Sequence, residues 1–152
     1  MRAYRGCHPF RVLAMMPPTA RRVRGLEVVG VSGRKARLLA VAAWVVAIFG
    51  VSSVPHLTAP HLGSIGSDKI FHALEYGVLG TLFGWATGAR GARLVWSATL
   101  LGLCVGALDE LYQGSVPGRQ QDIFDAGTDV LGALLGGVAW EGWMRRRKRM
   151  RS

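Results

Sequence analysis

The sequence predicts an all-α membrane protein, a bundle of four transmembrane helices with short loops and a disordered basic N-terminal tail. Three observations carry that expectation. Four apolar runs, 38–54, 70–89, 94–108 and 123–143, follow one another with short polar joints between them, each at or near the length needed to span hydrocarbon. Many of the 21 glycines lie inside those runs, where they would weaken soluble helices but let membrane helices approach closely. The charges are also sorted along the chain. Nine basic residues fall in 1–37, two in the joint after the second run and six in 145–151, leaving Lys69 and Arg119 for the rest.

The chain divides into a flexible basic tail (1–37), a membrane domain (38–143) and a basic C-terminal tail (144–152). Met15 and Met16 offer later start points within the first tail. Leu38 to Val54 is uncharged and 17 residues long. A signal peptide competes for this run, but no small-x-small cleavage pattern follows and more apolar runs do, which favours an uncleaved first span. Pro55 ends it, and the joint to Ser67 carries Pro60, Gly63 and Gly66.

The second run opens with Asp68, Lys69, His72, Glu75 and Tyr76. Asp68, His72 and Glu75 stand at i, i+4 and i+7, one helical face, and Asp68 suits an N-cap. Gly80, Gly84 and Gly88 form a small-xxx-small row. The third run carries the pair Gly102 and Gly106 and passes without a breaker into Asp109, Glu110 and Gln113, which therefore ride its last turn. Pro117-Gly118 has the order of a type II turn with positive φ at Gly118. The fourth run starts with Asp122, Asp125 and Asp129 at i, i+3 and i+7, followed by Gly132 and Gly136 and, near its end, Trp140 and Trp143 at an interfacial position.

Orientation follows from the basic residues. With both termini cytoplasmic, 17 of the 19 Lys and Arg lie inside, as the positive-inside rule requires. Seven of the nine acidic residues (Asp68, Glu75, Asp109, Glu110, Asp122, Asp125, Asp129) then collect at the outer helix ends. Carboxylates crowded this way cannot all ionise freely. Arg119, Lys69, a protonated His72, shared protons, a metal ion or a cationic ligand would each compensate. Arg119 reads as an internal counter-ion to Asp122 or Asp125, or as an anion hook for a lipid phosphate. His72 beside Glu75 reads equally as a structural hydrogen-bond pair. No EF-hand or other cation-binding spacing is present, so no metal ligands are assigned and any cofactor is left open.

The net charge of +10 sits at the two ends around an acidic middle, which argues against nucleic acid as a partner. Cys7 and Cys104 suggest neither a disulfide framework nor a metal knuckle. No nucleophile–base–orienter set and no phosphate-loop or dinucleotide glycine fingerprint is present.

Asp-Lys-Ile-Phe-His-Ala-Leu-Glu-Tyr (68–76), Asp-Glu-Leu-Tyr-Gln (109–113) and Pro-Gly-Arg-Gln-Gln-Asp-Ile-Phe-Asp (117–125) resemble the VanZ-like family of small bacterial membrane proteins. The resemblance spans about 38–143, with matching positions Asp68, Lys69, His72, Tyr76, Asp109, Glu110, Gln113, Pro117, Gly118, Arg119, Asp122, Asp125 and Gly132. Asp129 departs from it, since many relatives carry Asn there. The family is named for a member conferring low-level teicoplanin resistance, so the resemblance implies a role in the cell envelope and a place in the bacterial cytoplasmic membrane. The expected partners are membrane lipids, an envelope precursor or glycopeptide ligand, and a second copy through the glycine-rich faces. Three functions stay open at this point: ligand binding that modulates glycopeptide susceptibility, an enzyme acting on a lipid-linked or peptidoglycan-precursor substrate, and a proton-coupled carrier.

Overall fold

The computed structural model describes residues 33–56 and 67–152. The tail before residue 33, with its alternative starts, and most of the joint between the first two runs lie outside the described residues. The described residues form four helices: α1 (Gly33–Ser52), α2 (Ser67–Thr87), α3 (Gly91–Gln113) and α4 (Ile123–Arg149). α1, α3 and α4 are long and apolar enough to cross a membrane. α2 has the length, at 21 residues, but Asp68, Lys69, His72 and Glu75 in its first turns lower its apolarity, so a fourth crossing does not follow from composition.

Helix ends differ from the expected runs for local reasons. α1 starts at Gly33 because Arg34, Lys35 and Arg37 are good helix formers. Arg37 Nε donates to Gly33 O at 3.1 Å, and its Nη1 to Trp85 O at 3.3 Å. α1 stops at Ser52, ahead of the restriction that Pro55 imposes on the residue before it. Asp68 lies inside the first turn of α2 rather than before it. Gly88 takes φ +68° just past the end of α2, the left-handed position where a helix commonly closes. It therefore belongs to the turn and not to the packing row. α4 runs on through Arg145–Arg149, since basic residues favour a helix C-terminus and Arg145 pairs with Glu141 one turn back at 2.8 Å.

The glycines bring α2 and α4 into backbone contact. A methyl on Gly80 would strike the Ala133 backbone and one on Gly136 the Gly77 carbonyl, while one on Gly132 would stand 2.5 Å from Ala73 O. Thr81 Oγ1 donates to Gly77 O at 2.9 Å and to Gly136 O across the interface at 3.3 Å. α3 meets α4 similarly, with Gly102 over Ala133 and Gly106 over Asp129. These glycines of α2, α3 and α4 thus pack between helices of the one chain. Between the helices the buried apolar core holds Ile48, Tyr76, Leu79, Ala86, Leu94, Ala98, Val105 and Ala133. Leu39, Val46, Leu74, Trp96, Leu111 and Ile123 point outward, each more than half exposed, far more apolar exposure than a water-soluble monomer carries.

Candidate functional site

Alternating helix directions place the end of α1, the start of α2, the end of α3 and the start of α4 together. Arg37 on Trp85 fixes the opposite, basic end, where an open groove of about 410 Å³ is lined by Arg90, Met144, Arg147, Lys148, Arg151 and Ser152. At the acidic end the turn from α3 to α4 is built as expected. Arg119 N donates to Val116 O at 3.1 Å, with Pro117 and Gly118 between them and Gly118 at φ +78°. Asp122 caps α4 by accepting from Phe124 N at 2.8 Å.

Polar groups then converge in three sets. Lys69 of α2 reaches across to α4, with Nζ 2.6 Å from Asp125 Oδ1 and 2.9 Å from Asp122 Oδ2. Lys69 is therefore the counter-ion at these two carboxylates, the place the sequence suggested for Arg119. One turn deeper, His72 Nδ1 and Asp129 Oδ1 share a hydrogen bond of 2.8 Å. Asp129 is fully buried and backs onto Gly106, where a methyl would meet its Oδ2 at 2.9 Å. The third set joins α1 to α3. Ser52 Oγ donates to Asp109 Oδ2 at 2.9 Å, and Gln113 Nε2 donates to the same oxygen at 2.9 Å. Glu110 links the sets, its Oε2 accepting the backbone N–H of Asp122 at 2.8 Å.

The face of α2 turned to α4 is thus Lys69, His72 and Tyr76. Asp68, expected to share a face with His72 and Glu75, has a half-exposed side chain 3.9 Å from Lys69. Glu75 is half-buried nearer α1, where its carbonyl accepts from Trp44 Nε1 at 2.9 Å. It stays within Coulombic reach of His72, Asp109, Asp129 and Arg119. Tyr76 is wholly buried and within similar reach of Asp129, Asp109, Glu75 and Glu110. Arg119, half-buried on the turn, is near enough to act electrostatically on Glu75.

Sequence reasoning missed Ser52 and Trp44, both inside the first apolar run. Ser52 is buried and its hydroxyl meets a carboxylate; the one clue is its place in the last turn of a span. Buried carboxylates are costly unless paired, which explains why every buried acid here except Glu110 finds a side-chain donor or a cation. Asp122, at the mouth of the cluster, has its carboxyl held below the usual carboxylate range, first by the Lys69 hydrogen bond and then by the Phe124 N–H.

Chemically, the arrangement offers a positive group at its mouth, a buried imidazole–carboxylate pair behind it and further carboxylate oxygens beside that pair. One ligand atom each from His72, Glu110 and Asp129 lies within 4.8 Å of the others. A family model described as VanZ/LLP1 matches residues 26–144. No curated protein and no solved structure matches the chain.

Proposed function

The chain belongs to the VanZ/LLP1 family, and from that membership and the geometry of the cluster we propose that it is a four-span protein of the bacterial cytoplasmic membrane with both termini inside. Ile70, Phe71, Leu74, Val78 and Trp85 give α2 an exposed apolar stripe that suits it to be the fourth span, with its polar residues turned to α4. The basic end then faces the cytoplasm and the acidic end the outer leaflet. The outer cluster receives the polar head of a lipid-linked envelope component, and this binding modulates susceptibility to teicoplanin-type glycopeptides.

The supporting observation is depth. Asp109, Gln113, Asp125 and Asp129 are all at most 8% exposed, which suits a small polar head presented from the bilayer and not the docking of a large soluble ligand. The test is expression in a teicoplanin-sensitive host. The chain is expected to raise the inhibitory concentration and Asp125→Asn to abolish the rise; unchanged susceptibility with wild type would remove the resistance role.

A second reading is favoured by one observation, the 2.8 Å His72–Asp129 bond inside the cluster. An imidazole oriented by a carboxylate is the arrangement used for acid–base work, so the cluster would catalyse a reaction on the same lipid-linked substrate. Its test is turnover of lipid-linked phosphates by purified protein, with loss in Asp129→Asn.

A further inference from the structure

His72, Glu110 and Asp129 come from three different helices, and their ligand atoms all lie within 4.8 Å of one another. Donors about 2.1 Å from one ion stand about 3 Å apart when adjacent and about 4.2 Å when opposite, so a small contraction would close the group around a cation. Burial supplies the independent observation. Asp129 is 0% exposed and Glu110 8% exposed, yet Asp129 Oδ2 and Glu110 Oε1 have no hydrogen-bond partner among the described residues. An unmet buried acceptor is costly, and more so when charged. Lys69 Nζ bonds Asp122 and Asp125 and reaches neither of these two oxygens.

We infer that these three residues form a binding site for a first-row divalent transition cation, Zn²⁺ or Mn²⁺. A neutral imidazole and two carboxylates around a divalent ion sum to zero charge, which a buried site tolerates. One nitrogen and two oxygens suit these ions, whereas Ca²⁺ takes six to eight oxygens. The supporting shell is in place. Asp122 N–H orients Glu110 through Oε2 at 2.8 Å, and Gly106 leaves room for the Asp129 carboxylate. Three ligands leave coordination positions open for water or a substrate oxygen, as in catalytic sites. Cation binding here is independent of the teicoplanin phenotype.

The test uses the full chain purified in detergent, stripped with EDTA, incubated separately with Zn²⁺, Mn²⁺, Mg²⁺ or Ca²⁺ and desalted before metal analysis. Wild type is expected to retain one equivalent of one of these ions and to melt higher with it. Glu110→Gln and Asp129→Asn, each shown by circular dichroism and elution to be folded, are expected to bind at least about tenfold more weakly. Asp68→Asn, outside the group, is expected to bind as wild type. The inference is overturned if wild type retains neither ion, if it prefers Mg²⁺ or Ca²⁺, or if folded Glu110→Gln binds as tightly as wild type.

Discussion

Replacing Gly132 with Ala tests the contact on which the whole acidic end depends. The added methyl carbon would stand 2.5 Å from Ala73 O and 3.1 Å from Ala73 C and Cα. Ordinary contact begins near 3.4 Å, so α2 and α4 must part locally by about 0.9 Å, the difference of those two distances. The obstacle is backbone, which has no rotamer to change. Overpacking of this kind costs about 1–3 kcal/mol, against about 1 kcal/mol gained from helix propensity. Net destabilisation of up to about 2 kcal/mol follows. Gly127→Ala, on the same helix, is the control, since nothing lies within 4 Å of its added carbon. Thermal unfolding in one detergent, followed by tryptophan fluorescence, should show Gly132→Ala melting several degrees lower and Gly127→Ala at or above wild type. A Gly132→Ala protein as stable as Gly127→Ala would refute the close approach of α2 to α4. The clash also lies one turn from Asp129, so a parted interface would weaken the His72–Asp129 bond of 2.8 Å.

Three further outcomes follow. Lys69→Met should lower stability by about 1–3 kcal/mol, less than for a fully buried pair because Lys69 is a third exposed. Adding Asp125→Asn should recover part of the loss, as read by the same melts. Asp122 has a folded-state pKa below its ordinary 3.8, so its stabilisation is present above that value and is lost as pH falls through the lower, folded one. Asp122→Asn keeps a capping oxygen but not the charge, and should flatten this acid limb in melts between pH 6 and pH 3; an unchanged limb would clear Asp122 of the role. Arg119→Cys, in a chain with Cys7 and Cys104 replaced, should react with an impermeant thiol reagent added to intact cells. Labelling only after lysis would reverse the proposed orientation.

Much of the fold was legible because lipid leaves few choices. Apolar runs between polar joints define helices, and the uninterrupted passage from Leu108 into Asp109 placed three polar residues on the end of α3. The turn chemistry of Pro117-Gly118 and the capping by Asp122 were local and equally readable. Pairing was not. Asp68, His72, Glu75 and Lys69, His72, Tyr76 are both one-face sets by spacing, and only the position of α4 selects the second. Arg119 is closer in sequence to Asp122 than Lys69 is, but Lys69 reaches that acid across the helix interface. Ser52 was hidden because a serine ending an apolar run carries no mark of its partner 57 residues on. The grouping of His72, Glu110 and Asp129 was invisible for the same reason, since three helices contribute one ligand each.

The reach of those cross-helix bonds bears on how the protein is made. Lys69 and His72 meet their acids only 53, 56 and 57 residues further along the chain. During synthesis α2 therefore emerges before the carboxylates that hydrogen-bond its Lys69 and His72. It is also the one helix of the four whose own apolarity falls short. On the proposed four-span topology, a nascent chain cut after α3 should leave α2 poorly integrated, with the carboxylates of α4 acting as the late-arriving lock that commits it to the bilayer.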